Sequence, residues 1–139
     1  KFKSFKLKID IAIYGGFTGV ETNLNQRNWV DNLTILSGDI GVQGVNTDNV
    51  RNVISSSPFS SLNNNTILDG LTIRDGYAFN QFNGAGINVS NTYGTFILRN
   101  CTIQNNNSYG DGGGLFVSFC DPIIENNIFK NKSRFSLLL

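Results

Sequence analysis

The chain has 139 residues, a formal net charge of +1 and no histidine. This charge is too small to recruit nucleic acid or an anionic membrane, and no apolar run approaches the ~20 residues that span a bilayer. Without histidine, the chain has no Ser-His-Asp or Cys-His catalytic arrangement and no His-containing zinc site. Any chemistry would therefore rest on carboxylates, Lys, Arg, Tyr or a hard cation such as calcium.

The length corresponds to one domain, residues 1–139, and we expect it to be a fragment of a longer protein. The chain begins with Lys1 instead of Met, as an excised piece or a mature product would. Its two cysteines, Cys101 and Cys120, cannot supply a disulfide framework. We expect both to be small buried or half-buried residues, and we predict no cofactor and no metal.

An internal repeat is the main feature of the sequence. Three segments, at positions 66–75, 96–105 and 122–131, are similar to one another. A second unit, rich in glycine, recurs at positions 84–89 and 112–117. Positions 34–40 resemble a weak early copy of the first unit. The two units share one period of about 28 residues, which predicts a repeat architecture.

A period of this size, filled with short strands and no helical pattern, predicts an all-β fold in which each coil returns above its own start. Successive copies would lie about 4.8 Å apart as parallel strands. The alternative is an antiparallel sandwich, whose strands recur at a spacing of about 10 residues. Sandwich strands have no reason to be copies of one another, so we predict a single-stranded parallel β-helix (solenoid) of about four coils.

The stacked copies define columns of side chains along the axis. Alternation along each strand predicts that one set points into the core: Leu68, Leu98 and Ile124, then Ile73, Ile103 and Phe129. The column Asp69, Arg99 and Glu125 should point outward. We interpret this column as a solvent-facing charge ladder in preference to a carbohydrate or metal site.

The corner between the two strands of the first unit carries Gly70, Asn100 and Asn126. Gly and Asn tolerate the left-handed conformation that a sharp corner requires. Just beyond it, Asn127 interrupts a column of Leu71 and Cys101. We expect either a loosely packed last coil or a register slip that buries the next residue, Ile128.

The glycine runs at residues 84–86 and 112–114 resemble phosphate-binding loops only superficially, since no helix and no Lys-Ser or Lys-Thr pair follows them. We expect them to let a corner approach the strand above. Loops leave the coils at about residues 41–65 and 76–83, and Tyr77, Phe79 and Phe82 in the second loop are candidate contact residues.

Residues 84–87 (Gly-Ala-Gly-Ile), 112–115 (Gly-Gly-Gly-Leu) and 122–129 (Pro-Ile-Ile-Glu-Asn-Asn-Ile-Phe) resemble the repeats of the pectin-lyase-like superfamily of right-handed parallel β-helices. They are especially similar to polymorphic outer membrane protein repeats, which pair a Gly-Gly-Ala-Ile-like motif with a Phe-x-x-Asn motif. Residues 13–22, 26–28 and 34–40 also look like the opening of large bacterial secreted or surface proteins of this class. The resemblance covers residues 6–131 and leaves an atypical tail at 132–139.

The resemblance implies a secreted or cell-surface protein, with an outer-membrane association as one option. Its leading functional expectation is a non-catalytic structural or adhesive module that binds glycans or other cell-surface proteins. The alternative is a polysaccharide lyase or glycoside hydrolase, for which the available acids and bases are Asp69, Asp75, Asp111 and Asp121 with Arg74 and Arg99. Ice binding is disfavoured because only Thr72 and Thr102 stack before Ile128 ends that column.

Overall fold

The computed structural model describes residues 3–130 and the backbone strand at residues 137 and 138. Short β-strands and two 3-10 helices, Leu24–Gln26 and Asn46–Asp48, form the regular structure of this part of the chain. The strands in chain order are β1 (Phe5–Lys6), β2 (Ala12–Tyr14), β3 (Thr34–Ser37), β4 (Ile54–Ser55), β5 (Ser61–Leu62), β6 (Ile67–Asp69), β7 (Leu71–Arg74), β8 (Tyr77–Ala78), β9 (Ile87–Val89), β10 (Tyr93–Gly94), β11 (Ile97–Arg99), β12 (Thr102–Gln104), β13 (Asn107–Ser108), β14 (Leu115–Val117), β15 (Ile123–Glu125), β16 (Ile128–Lys130) and β17 (Leu137–Leu138).

These strands form three main sheets whose pairings are all parallel. Sheet 1 has the order β2-β6-β11-β15, sheet 2 has the order β3-β7-β12-β16, and sheet 3 has the order β1-β4-β9-β14-β17. Two further parallel pairs, β5 with β10 and β8 with β13, lie between the sheets along the chain. Because the chain returns to the same sheets in the same order, the fold is an all-β parallel solenoid.

The register of sheet 1 confirms that the three copies of the first unit stack on one another. Leu98 of β11 pairs with Leu68 of β6 on one side and with Ile124 of β15 on the other. In sheet 2, Ile103 pairs in the same way with Ile73 and Phe129. The repeat alignment therefore predicted the strand register residue by residue, and the antiparallel alternative is wrong.

The predicted early copy at residues 34–40 is wrong in its placement. Strand β3 (Thr34–Ser37) belongs to sheet 2, where Leu36 pairs with Ile73. Strand β2 occupies the corresponding place in sheet 1, where Ile13 pairs with Leu68. The long connection at residues 15–33 separates the two strands, so this first circuit departs from the period of the later ones.

The prediction of one continuous loop at residues 41–65 is also wrong, because β4 and β5 lie within that segment. Strand β8 likewise begins the second predicted loop, at Tyr77. Hydrogen bonds to neighbouring circuits, such as Val53 N–H to the Ala85 carbonyl (3.0 Å), hold the first of these segments against the solenoid. These segments have little apolar alternation, and their strand character comes from the neighbouring backbone.

The core lies between the three sheets. Leu68, Leu98, Ile73 and Ile103 are fully buried in it, whereas Ile124 and Phe129 are partly buried and pack against the same cluster. The difference follows from position, because β15 and β16 are the last strands of sheets 1 and 2.

The corner residues after β6, β11 and β15 have positive φ angles. They are +74° at Gly70, +54° at Asn100 and +52° at Asn126.

The hydrogen bonds of Asn127 explain why it interrupts the column of Leu71 and Cys101. Asn127 accepts from Cys101 N–H (2.9 Å) and donates to the Leu98 carbonyl (2.8 Å). Ile128 pairs with Thr102 and is exposed. The expected register slip is therefore wrong, since the amide side chain bonds the circuit below.

The predicted tail, 132–139, falls mostly on residues that lie outside the described part of the chain, as does Asn131 at the end of the third copy. Within the tail, β17 extends sheet 3 beyond β14, with Leu137 paired to Leu115. Both cysteines are free and buried, as expected.

Candidate functional site

Asp69 is the first member of the charge column in sheet 1, and it lies in a buried ion cluster. Asp69 is 1% exposed, and its Oδ2 accepts from Arg99 Nε at 2.8 Å and from Arg27 Nη2 at 3.1 Å. Its Oδ1 accepts from Asn100 Nδ2 at 3.0 Å. The expectation that Asp69 faces solvent is therefore wrong. The connection at residues 15–33 folds over this corner and brings Arg27 onto the carboxylate.

Aromatic rings hold Arg27 in place. The centre of its guanidinium is 4.9 Å from the ring centroid of Tyr14, 5.4 Å from that of Trp29 and 5.8 Å from that of Phe17. Its Nη1 also donates to the Gly15 carbonyl at 3.1 Å. The cluster thus attaches the long connection to the solenoid wall. Sequence reasoning missed Arg27, because nothing in residues 15–33 repeats elsewhere in the chain.

The ionisation of Asp69 reflects competing effects. Burial raises its pKa, but the hydrogen bonds from Asn100, Arg99 and Arg27 and the positive charge of Arg27 outweigh burial and bring the pKa below the usual aspartate value. The carboxylate is therefore charged at neutral pH and fully occupied by structural partners.

The other candidate acids are also placed by the structure. Asp75 Oδ2 accepts from Ser37 Oγ at 3.0 Å and forms an ion pair with Arg74 at 3.1 Å. Asp111 and Asp121 are exposed on separate corners, where their backbone N–H groups bond other circuits. Among the described residues, no group of three or more Cys, Asp and Glu side chains could hold a metal ion.

A partly exposed aromatic cluster, in which Tyr77 and Phe79 are half-buried and Tyr109 is 51% exposed, lies where β13 stacks on β8. We call Tyr77, Phe79 and Tyr109 the tyrosine cluster. The Tyr77 and Tyr109 rings meet edge to face, with centroids 6.0 Å apart and hydroxyl oxygens 3.4 Å apart. The Tyr77 and Phe79 rings stack at 6.4 Å. The pKa of Tyr77 is raised, mainly by its hydrogen bond with Tyr109 and to a smaller extent by burial.

The backbone explains how the tyrosine cluster forms. Strand β8 pairs with β13 so that Ala78 faces Ser108, and both are buried. Because side chains alternate along a strand, the aromatic residues next to this pair project outward. Sequence analysis identified Tyr77, Phe79 and Phe82 but missed Tyr109, although the alignment of positions 66–75 with 96–105, continued along the chain, places it beside Phe79.

Phe82 contacts Arg51 instead of the rings of the tyrosine cluster. The Arg51 guanidinium is 3.5 Å from its ring centroid, an arrangement that favours the charged side chain electrostatically. Phe82 remains 40% exposed. It therefore packs on the solenoid and still presents ring surface to solvent.

A second aromatic surface lies after sheet 3, and sequence analysis did not identify it. It comprises Phe59, Tyr93 and Phe119, with exposed fractions of 78%, 51% and 70%. The Tyr93 and Phe119 rings are 6.3 Å apart. Phe59 and Phe119 adopt positive φ angles of 60° and 63°, so the corner holds them outward at a conformational cost.

A small groove lies on the outer face of sheet 2. Its volume is about 180 Å³. Trp29, Val30 and Leu33 of the long connection form one wall, and the column Thr72, Thr102 and Ile128 forms part of the floor. The groove is smaller than the usual small-molecule site of about 300 Å³ or more.

No family model matches this chain, and neither the curated proteins nor the solved structures include a significant match. Among the described residues, no helix is long and apolar enough to cross a membrane.

Proposed function

We propose that this chain is a non-catalytic adhesive module of a right-handed parallel β-helix, similar to pectin-lyase-like proteins, in a secreted or cell-surface protein. The tyrosine cluster binds glycans. The observation that carries this proposal is that the half-buried rings of Tyr77 and Phe79 and the exposed ring of Tyr109 form one cluster on the outside of the solenoid.

The chemistry of the tyrosine cluster suits a sugar ring. Tyr77 and Tyr109 offer apolar ring surface together with hydroxyl groups that can donate and accept hydrogen bonds. Sugars present the same combination of C–H faces and hydroxyl groups. Because β8 and β13 already align the rings, binding requires little ordering of side chains.

The carboxylates favour a non-catalytic role over the polysaccharide lyase or glycoside hydrolase alternative. A glycosidase needs two accessible carboxyl groups about 5 to 10 Å apart. Asp69 is enclosed by Arg27 and Arg99, and Asp75 is bound to Ser37 and Arg74. These two acids therefore serve to fasten strands and connections.

A glycan array followed by calorimetry of the best ligand tests the proposal. Tyr109→Ala should weaken binding about ten-fold or more, since it removes an exposed ring and a hydroxyl group. Phe119→Ala, which removes an exposed ring from the other aromatic surface, should leave affinity within about two-fold. Both variants should have the same melting temperature as the unmodified chain, which excludes a folding defect as the cause of weaker binding. Absence of any glycan ligand, or equal loss in both variants, refutes the proposal.

A turnover assay completes the test. Acidic and neutral plant and bacterial polysaccharides should bind without release of unsaturated or reducing sugar. Release that Asp75→Asn or chelation abolishes would refute the non-catalytic proposal. Binding to a purified cell-surface protein with no glycan requirement would refute the assignment of the ligand.

A further inference from the structure

A compact loop at residues 39–49 lies between β3 of sheet 2 and β4 of sheet 3. The hydrogen bond from Val50 N–H to the Gly38 carbonyl (2.9 Å) closes its neck. The 3-10 helix Asn46–Asp48 returns the chain to this neck. The segment is therefore an ordered surface loop whose ends are held together, and most of its residues are exposed.

Three side-chain oxygen atoms of this loop are buried but accept no hydrogen bond within the described part of the chain. They are Asp39 Oδ1, Asp48 Oδ1 and Asn49 Oδ1. No other side-chain oxygen of the described residues is buried and unpaired in this way. Burying a polar atom without a partner is unfavourable, most of all for a carboxylate. The protein's own hydrogen bonds do not explain why all three such oxygens lie in one loop.

The loop backbone fixes the second oxygen of each carboxylate. Asp48 Oδ2 accepts from Val42 N–H at 2.7 Å, and Asp39 Oδ2 accepts from Gly44 N–H at 2.9 Å. Because these two N–H groups lie two residues apart, both carboxylates reach the same short segment. Gly41 leaves the room that this arrangement needs, since a Cβ at that position would overlap the carboxylate of Asp48.

Asn49 supplies the third oxygen at the neck of the loop. Its side chain is 4% exposed, and its Nδ2 donates to the Asp75 carbonyl at 2.8 Å. This bond orients the amide, so its Oδ1 is directed away from Asp75. Because Gly38 and Val50 are bonded, the next residues within the loop, Asp39 and Asn49, lie beside each other. The three unpaired oxygens therefore lie together at the base of the loop.

The chemistry of this oxygen set fits a hard cation. Neither Asp39 nor Asp48 forms an ion pair with the described residues, so the loop holds two carboxylates without a cationic partner. Calcium takes about six to eight oxygen ligands in flexible arrangements and combines side chains with main-chain carbonyls and water. Magnesium demands a near-ideal octahedron instead. An irregular loop that presents carboxylate and amide oxygens therefore favours calcium.

We propose that residues 39–49 form a calcium site, with Asp39, Asp48 and Asn49 as its side-chain ligands. Main-chain carbonyls of the loop and water complete the coordination. The site differs from the sequence-based prediction of no metal, and it is independent of glycan binding at the tyrosine cluster. Because only two of the ligands are carboxylates, we expect a dissociation constant of about 0.1 to 1 mM, the range of extracellular calcium modules.

Calorimetric titration of the full chain with calcium chloride, after removal of metals with a chelator, tests the proposal. One calcium ion should bind per chain. Asp39→Asn and Asp48→Asn keep an oxygen for the loop N–H groups but remove a charge, and each should weaken binding at least about ten-fold. Asp111→Asn removes the same charge at an exposed corner. It is the matched control and should change affinity by less than about two-fold.

Thermal unfolding separates loss of calcium binding from a folding defect. About 10 mM calcium chloride should raise the melting temperature of the unmodified chain by about 5 °C relative to sodium chloride of equal ionic strength. Neither Asp39→Asn nor Asp48→Asn should show this rise. Without calcium, both variants should melt no lower than the unmodified chain, because a neutral amide is less costly to bury than a carboxylate without a partner.

Limited proteolysis with a calcium-independent protease reports on the loop in the unmodified chain. Cleavage within the exposed residues 41–47 should slow about ten-fold or more in about 10 mM calcium chloride, and magnesium chloride should protect the loop less. The proposal is overturned by absence of calcium binding up to about 10 mM, by equal weakening in Asp111→Asn, by calcium stabilisation that survives in both loop variants, or by equal protection with magnesium.

Discussion

Replacing Asp69 with Asn measures how much the buried ion cluster stabilises the solenoid. The amide keeps the shape of the side chain but removes the negative charge that Arg27 and Arg99 share. The Arg27 side chain is 7% exposed and would keep its charge without a partner, whereas the Arg99 side chain is 36% exposed and can turn to water. Removing one partner of a buried pair costs about 3 to 5 kcal/mol. We expect a loss of about 3 kcal/mol, since Arg99 is rehydrated.

Urea denaturation monitored by circular dichroism gives the free energy of unfolding of both proteins. Glu125→Gln is the matched control, because Glu125 lies in the same column and is exposed. It should change stability by no more than about 0.5 kcal/mol. If Asp69→Asn lowers the free energy of unfolding by less than about 1 kcal/mol, or by no more than the control does, the ion cluster does not stabilise the packing of residues 15–33 on the solenoid.

The pH dependence of Asp69→Asn follows from the lowered pKa. A carboxyl whose folded pKa lies below its ordinary value of 3.8 stabilises the fold fully above that value. The stabilisation disappears as the pH falls through the folded pKa. The variant has no such titration. Its deficit relative to the unmodified chain should therefore shrink below about pH 4, and a deficit that grows there would contradict this account.

Three further predictions concern the wall and the corners. Leu98→Ala, at a fully buried site, should cost about 2 to 5 kcal/mol in urea denaturation, and Ile97→Ala on the other face less than half of that; equal costs would contradict the alternation of the strand. Burial raises the pKa of Cys101 to about 11 and also raises that of Cys120. Both thiols should therefore resist a thiol reagent at about pH 8 until urea unfolds the chain, and fast labelling of native Cys101 would refute its burial. Asn100→Ala should cost about 1 to 2 kcal/mol, because alanine is disfavoured at the positive φ of this corner, and Asn100→Gly should recover part of that loss.

Particular residues show how far the sequence could predict this fold. Leu68 and Leu98 are distant in sequence yet pair directly, and the internal repeat predicts that pairing because similar layers bury the same columns. Strand β2 was missed because its Ala-Ile-Tyr sequence lacks the motif of the later copies. Its position in sheet 1 depends on its backbone bonds to β6, such as Ile67 N–H to the Ile11 carbonyl.

The candidate site, like the fold, was predicted from the sequence only in part. Tyr77 and Phe79 were identified from one segment of sequence, but their contact with Tyr109 depends on the pairing of β8 with β13. The burial of Asp69 was unpredictable, because its partner Arg27 lies far along the chain, in a connection that no other circuit contains. A repeat predicts only what every layer shares.

The sequence by itself determined the solenoid, its register over the three copies, the positions of the corner asparagines and the burial of both cysteines. The solenoid, its register and its corners follow from local alternation and from the similarity between successive copies, both of which are visible in the sequence alone. Only the tertiary structure decided where residues 15–33 lie, which carboxylates are enclosed and which aromatic rings meet at the surface. Those outcomes depend on segments that occur once, and a segment without copies has its position set by the neighbours it meets in three dimensions.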